Sequence, residues 1–331
     1  MSLGSWMELS DALAALVKRA GASVVRVDGR RRGSSSGIVW SGDGTLVTSG
    51  HGLESDDAVE VGLPSGDSAR AEVVGRDPGT DLAVLRLAAG PAAGLVAAEW
   101  SEGPLEVGML ALALSRPGRG PRAALGVVSR RGDAWRTPAG GKVDRWVELD
   151  LGGHPGFSGG LVLDLAGRGI GLAHAGLVRG EPLAVPAATL RRVVKAVLAH
   201  GGVRRGYLGV ASLPVRLPAA VASQCGQESG LLLTAVEDDS PAARAGLMVG
   251  DLLLALDGAA LGQLGDLLPL LEEERIGDAA RARLARGGAI VEVAITVGVR
   301  GSGSAGGSAG GGSNGDGDRG ASGGCGGGGR P

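Results

Sequence analysis

Short apolar runs recur along the first part of the chain: Val24 to Val27, Ile38 to Trp40, Leu46 to Thr48, Val59 to Leu63, Glu72 to Val74 and Leu82 to Leu87. Gly, Ser, Asp and Pro separate them, the spacing of a closed or sandwiched antiparallel sheet. Further runs at Met109 to Leu114, Ala124 to Val128, Val143 to Leu149, Leu161 to Leu163 and Ile170 to Ala173 continue the series. The stretch Leu82 to Leu87 is apolar at every position but Arg86, so it reads as a strand covered on both faces. Helical spacing appears twice. Leu13, Leu16 and Val17 share one face of a helix that Ser10 can cap and that ends near Gly21. Leu190, Val193, Val194, Val197 and Leu198 place another over 187–200, stopped by Gly201-Gly202.

From about Val203 to Val299 the pattern changes to a smaller α+β module. Ser240-Pro241 is a helix cap followed by a first helical residue, and Gly246 ends that helix. Asp251 to Leu256 is a strand running into Asp257-Gly258, Asp266 opens a further helix, and two strands flank Arg286-Gly287-Gly288. Beyond residue 300 the chain is almost wholly Gly, Ser, Ala and Asp and cannot bury enough apolar surface to offset ordering entropy. The division is therefore 1–200, 203–299 and a disordered tail over 300–331.

Candidate chemistry lies in the first division. Ser158 sits in Gly156-Phe157-Ser158-Gly159-Gly160, after His51 and Asp81 in chain order. A serine hydroxyl needs an imidazole to take its proton, a carboxylate to orient that ring and amide donors for the oxyanion. The Gly156 and Ser158 amides suit the last role. His51 follows the strand Leu46 to Thr48 among small residues, which presents its ring at a strand end, although a surface histidine at a turn has the same pattern. Asp81 lies where a turn becomes core, and a carboxylate there is costly unless a partner pairs with it. Asp77, before Pro78, fits the role of a turn cap better than Asp81 does. His174 follows the strand Ile170 to Ala173, His154 sits in the serine's own loop and His200 at a helix end; no pair of histidines with Cys or Asp has metal-site spacing.

The segments Val47-Thr48-Ser49-Gly50-His51, Thr80-Asp81-Leu82-Ala83-Val84-Leu85 and Gly156-Phe157-Ser158-Gly159-Gly160 resemble the triad motifs of the HtrA (Deg) family of trypsin-like serine proteases. The similarity runs on through Pro182 to Pro186 and Gly206 to Val210, where that family passes from protease to PDZ domain. It implies a mostly β protein with two six-stranded antiparallel barrels of the chymotrypsin type, the site in their seam, followed by an α+β PDZ domain. Catalysis would fall to His51, Asp81 and Ser158; Phe157 and His174 are candidates for the substrate cleft, with burial as the alternative for Phe157 and a structural role as the equal alternative for His174. In the PDZ domain Tyr207, Leu208, Gly209 and Val210 would form the loop that cradles a peptide C-terminus, with Leu267 and Leu270 in its side-chain pocket, unless those leucines are simply core. Leu271 is a further candidate for that pocket, with the core as its alternative. The resemblance also implies unfolded or peptide substrates and a homotrimer built through the protease domain, for which Trp6 is a candidate contact. Three positions depart from the family pattern: Gly50 for alanine, Phe157 for asparagine or aspartate, and Leu161 for proline.

Composition narrows the partners. A net charge of -2 over 331 residues gives no general attraction for nucleic acid or an anionic membrane. With 2% aromatic residues the cores must be built from Leu, Val and Ala, and the sole Phe and sole Tyr both fall in proposed functional loops. Cys225 and Cys325 lie in different regions, so no structural disulfide is expected. No metal or organic cofactor is needed. The first residues carry neither a signal-peptide pattern nor an apolar run of membrane length, from which a cytoplasmic location is expected, with export as the alternative if the start site is misassigned.

Overall fold

Six of the apolar runs close into a first barrel. Its strands are β1 (Val24–Asp28), β2 (Ser35–Val39), β3 (Thr45–Ser49), β4 (Val59–Gly62), β5 (Ser68–Asp77) and β6 (Leu82–Leu87), in the order β1-β2-β3-β6-β5-β4. The computed structural model describes residues 3–31, 33–88, 94–151, 156–178 and 181–299; His154 and the tail with Cys325 lie outside them. A second barrel uses β7 (Leu110–Ser115), β8 (Arg122–Gly132), β11 (Trp146–Leu149), β12 (Leu161–Leu163), β13 (Gly169–His174) and β14 (Leu183–Pro186), in the order β11-β14-β13-β12-β7-β8. A small hairpin, β9 (Trp135–Arg136) with β10 (Lys142–Val143), stands between β8 and β11.

Both faces of the central strands are buried, which is why their sequences do not alternate with polar residues. In β6, Ala83, Leu85 and Leu87 fill the first barrel with Val25, Val27, Leu46 and Val61. Leu82 and Val84 of the same strand turn outward and join Ile38, Val47, Leu112, Leu114, Leu161, Leu163 and Leu172 between the barrels. Helix α2 (Ala187–His200) closes that layer with Leu190, Val193, Val194 and Val197, and Gly201 ends it in the left-handed region at φ 74°. The second barrel is filled by small residues, Ala111, Ala113, Ala173 and Ala184 with Val128, Val147 and Val162, as the scarcity of aromatic residues requires.

Two local expectations are corrected, and one strand was not anticipated. Helix α1 spans Leu3–Ala20, so Ser10 lies within it and does not cap it; the residues before Ser10 contain no proline and only Gly4 as a weak former. Strand β14 carries proline on both sides, Pro182 before it and Pro186 as its last residue, and proline normally marks the end of a strand. In the last module the helix expected at Asp266 is a single turn, α5 (Leu264–Leu267), in which Asp266 closes a capping box with Gln263; Pro269 has no amide to continue it, and a tighter turn follows over Leu268–Leu271.

That module is a sheet in the order β16-β17-β18-β20-β21, formed by β16 (Val210–Arg216), β17 (Ser229–Val236), β18 (Leu252–Leu256), β20 (Ala279–Arg286) and β21 (Ala289–Thr296), with β19 (Ala259–Ala260) paired to β18. A second pairing joins β15 (Gly206–Tyr207) to β22 (Gly298–Val299). Its helices are α3 (Ala219–Cys225), which the sequence reading did not anticipate, and α4 (Pro241–Arg244), capped by the Ser240 hydroxyl. Glu272 meets Arg136 at 2.5 Å and Lys142 at 3.4 Å, tying the module to the β9–β10 hairpin.

Candidate active site

Register alone brings two of the candidate residues to one rim. Ser49, the last residue of β3, pairs with Leu82, the first of β6, so the segments just outside those ends leave the first barrel together. Gly50 N then donates to Asp81 O at 2.7 Å. The turn leading into Asp81 is folded by Asp77, buried, whose carboxylate accepts from Gly79 N at 3.1 Å, Thr80 N at 3.2 Å and Thr80 Oγ1 at 2.7 Å. Asp77 is thus the turn cap, and Asp81 emerges from that turn in the left-handed region, at φ 52°.

The Asp81 carboxylate is shared by two rings. Its Oδ2 lies 2.5 Å from His51 Nδ1 and 2.8 Å from His174 Nε2. Burial alone would raise the Asp81 carboxyl, but hydrogen bonds from His174 and His51 outweigh it and hold the group well below the usual carboxylate range. His51 is half-buried, in the tight turn Gly50–Gly52, and Arg30 Nε donates to its carbonyl at 2.7 Å. With Nδ1 turned to a carboxylate, its proton sits there and Nε2 is left as an acceptor.

Ser158 stands on the loop before β12. Its carbonyl accepts from Ser36 N of β2 at 3.1 Å, Gly159 N donates to Ala173 O at 2.9 Å and Gly160 N to Phe157 O at 2.8 Å. Its hydroxyl oxygen accepts from Ala175 N at 3.3 Å. The next residue, Gly176, borders the His51 ring: a Cβ built on it would lie 3.8 Å from His51 Nδ1. Serine and imidazole therefore flank the same short backbone segment, although no hydrogen bond joins them among the described residues. Two glycines of the loop are dictated by space. Gly159 has φ 85°, and a Cβ there would fall 2.0 Å from Ser36 O; Gly156 has φ 86°. The amides of Gly156 and Ser158 donate to no group among the described residues. Phe157 is half-buried and packs on the second barrel's core, as do Leu105, Leu151 and Ile170.

Two findings depart from the sequence reading. His174 does not line a cleft: its side chain is fully buried, and it sits behind the Asp81 carboxylate. Ser36 was not anticipated. Its hydroxyl donates to Gly156 O at 2.8 Å and accepts from Arg116 N at 2.8 Å, while its carbonyl accepts from Thr48 Oγ1 at 2.6 Å. It fastens the serine loop to both barrels, and nothing in Ser34-Ser35-Ser36 distinguishes it in sequence.

The fold also gathers ligand atoms of His51, Asp81 and His174 within 4.8 Å of one another, a grouping that sequence spacing concealed. A histidine that ligates a metal normally donates its other ring N–H to an acceptor. His174 does the reverse, since its Nδ1 accepts from Gly176 N at 3.0 Å and Leu177 N at 3.1 Å. The donor set does not fit a metal ion.

In the last module Val210 opens the edge strand β16, paired on one side by β17, with α5 packed beside it. Gly209 has φ 80°, and the Tyr207 hydroxyl bonds the Glu237 carboxylate. Leu208 is buried in the module's core and its carbonyl accepts from Ala242 N; Leu267 is buried in the same core, whereas Leu270 and Leu271 are half-buried against it. Leu208 and Leu267 are core leucines.

Residues 35–172 match the trypsin-like peptidase domain family and residues 206–297 the PDZ domain family. The chain is 32% identical over 268 residues to a probable periplasmic serine endoprotease DegP-like of Brucella suis biovar 1, an overlap of 79% of this chain and 52% of that one. It is 31% identical over 274 residues to the protein of the same name in Halomonas elongata, covering 81% of this chain and 57% of that one. The chain thus spans about half the length of these curated relatives. Among solved structures, the HtrA-type protease AlgW with a decapeptide superposes with a TM-score of 0.67 at 27% identity, covering 87% of this chain and 98% of that one. The serine endoprotease from Yersinia pestis gives 0.66 at 25% identity, covering 86% and 97%. The cytoplasmic expectation is overturned, because these relatives are named periplasmic. No helix among the described residues is long and apolar enough to cross a membrane.

Proposed function

We propose that this chain, which carries a trypsin-like peptidase domain and one PDZ domain and belongs with the HtrA (DegP) serine endoproteases, is itself an exported serine endopeptidase that cleaves unfolded or damaged polypeptides. The observation that carries the reading is the pairing of His51 Nδ1 with Asp81 Oδ2 at 2.5 Å beside the segment on which Ser158 Oγ rests. The carboxylate fixes the ring tautomer, so His51 Nε2 takes the Ser158 proton as the hydroxyl attacks a peptide carbonyl and then gives it to the leaving amine. The amides of Gly156 and Ser158 receive the oxyanion. Half-buried Phe157 presents its exposed edge to the substrate.

The PDZ domain binds peptide C-termini. An incoming peptide adds to the open edge of β16, its carboxylate taken by the amides of the Tyr207-Leu208-Gly209-Val210 loop, and Leu270 contributes to the side-chain pocket beside α5. Hydrolysis of unfolded casein by the wild-type chain and by Ser158→Ala tests the enzymatic reading: activity confined to the wild type is expected, and equal residual activity in both would overturn it.

A second reading, a catalytically silent peptide-binding protein on a protease scaffold, is favoured by the lack of a hydrogen bond between Ser158 and His51 among the described residues. Such bonds often tighten only with substrate bound. A serine-directed fluorophosphonate separates the two, since labelling of Ser158 that is lost in His51→Ala excludes the silent protein.

A further inference from the structure

His51 and His174 are chemically identical rings on one carboxylate oxygen, and what their other nitrogens meet sets them apart. An amide N–H can only donate, so His174 Nδ1, which faces Gly176 N at 3.0 Å and Leu177 N at 3.1 Å, must offer its lone pair. The single proton of the neutral ring is therefore on Nε2, and it points at Asp81 Oδ2 at 2.8 Å. Protonating this ring would drive an N–H against two N–H donors. In His51 the second nitrogen has no such partner among the described residues. The tautomer of one ring is fixed from both sides, and that of the other from one side alone.

The opposite side of the carboxylate is set by Gly50. A Cβ there would lie 2.7 Å from Asp81 Oδ1, closer than real side chains come, and the Gly50 N to Asp81 O bond at 2.7 Å leaves no freedom to move the backbone apart. The side chain of 174 reaches in from β13, and the missing side chain of Gly50 leaves the carboxylate room to receive it. Arg30 and Arg76 reach the turn that carries His51, and both spend hydrogen bonds on its backbone carbonyls, Arg30 on His51 O and Arg76 on Gly50 O.

We infer that His174 is a positioning residue for the proteolytic reaction: a tautomer-locked donor that fixes the Asp81 carboxylate toward His51, with Gly50 as its steric counterpart. This rests on His51, Asp81 and Ser158 as the reacting group. A carboxylate held by one ring can rotate and present either oxygen; a second N–H on the same oxygen removes that freedom and spreads the charge that would otherwise bear on His51 alone.

Two substitutions split the ring's functions. In His174→Gln the terminal amide reaches where Nε2 was and still donates to Asp81, but the acceptor for Gly176 N and Leu177 N is lost. In His174→Asn the side-chain oxygen takes the place of Nδ1 and keeps those amides, but the donor is lost. If the ring only braces the loop, Asn is the milder change. If it positions Asp81, Asn lowers kcat on casein roughly ten- to a hundredfold with little change in KM, while Gln stays within about threefold of wild type. The acid limb of the kcat/KM profile also moves to higher pH in the Asn variant alone. Gly50→Ala should be costly in the wild-type background and at least about fivefold milder beside His174→Asn, because the shorter side chain lets the carboxylate withdraw.

Ser158-dependent activity that is equal in the Gln and Asn variants, or worse in Gln, overturns the assignment alone; activity that survives Ser158→Ala overturns it together with the proteolytic reading. Should either ring variant fail to fold by circular dichroism, the Gly50→Ala variant is compared with wild type, and unchanged kcat there overturns the steric half of the pair. Inhibition by micromolar zinc that disappears in His174→Asn would make the three residues a metal site and overturn it as well.

Discussion

Replacing Ser36 by alanine removes one oxygen and asks whether the serine loop is held by the seam. That oxygen is fully buried, donates to Gly156 O at 2.8 Å and accepts from Arg116 N at 2.8 Å. Losing the first bond costs about 0.5–1.5 kcal/mol, and stranding the buried Arg116 amide costs about 1–3 kcal/mol more. Together the loss is about 1.5–4.5 kcal/mol, against a total stability on the order of 5–15 kcal/mol, so the variant folds but melts earlier. Activity should fall too. Removing an oxyanion donor outright costs roughly a hundred- to a thousandfold in kcat; here the Gly156 peptide is only released from one restraint, so a drop of roughly tenfold is expected. Ser158→Ala is the control, since among the described residues Ser158 Oγ accepts one bond, at 3.3 Å, and its loss should change stability by less than about 0.5 kcal/mol. Urea titration followed by circular dichroism measures the first quantity and steady-state hydrolysis of casein the second. A Ser36→Ala variant within about 0.5 kcal/mol of wild type, or one that loses stability with kcat intact, would refute the argument that this hydroxyl holds the loop.

Within the PDZ domain, buried Asp251 accepts from Arg286 Nε at 2.8 Å, Arg286 Nη2 at 2.7 Å and Met248 N at 2.8 Å. Asp251→Asn keeps the shape but loses the charge and should cost about 2 kcal/mol in a urea titration, with casein hydrolysis at saturating substrate unchanged. Acid should expose the contribution of Asp81. Because its carboxyl is depressed in the folded state, the unfolded chain binds the proton more readily; the stabilisation is complete above the unfolded value of about 3.9 and drains away as pH falls below it. The gap in melting temperature between wild type and Asp81→Asn should therefore be wide near neutral pH and narrow toward about pH 3, and a gap that widens on acidification would contradict the hydrogen bonding seen here.

The strands were legible because their burial is local information: β3, β6 and β12 are runs of branched and aliphatic residues bounded by Gly, Asp and Ser. The turn at Asp77 was legible for the same reason, since its cap acts on amides two and three residues away. What escaped depends on distant pairing. Ser36 meets Gly156 only because β2 of one barrel runs beside the serine loop of the other, and His174 meets Asp81 only because β13 ends at the same seam. Strand β14 was hidden by its two prolines, and Pro186 is accommodated by its position as the last residue, where Gly171 is its register partner.

Asp81 concentrates these constraints. It is the one residue of the candidate triad in the left-handed region, a conformation that disfavours most side chains by about 1–2 kcal/mol. Strain of that kind persists only where the surroundings over-determine it. The Asp77 turn delivers the backbone, Gly50 N holds the carbonyl, and two imidazoles hold the carboxylate. Gly50 and His174 look like unrelated details when the chain is read in order, one a missing methyl before His51 and one a histidine closing a strand. Around Asp81 they are two halves of one fit: a bulky donor at 174 sets the carboxylate where only glycine leaves room at 50.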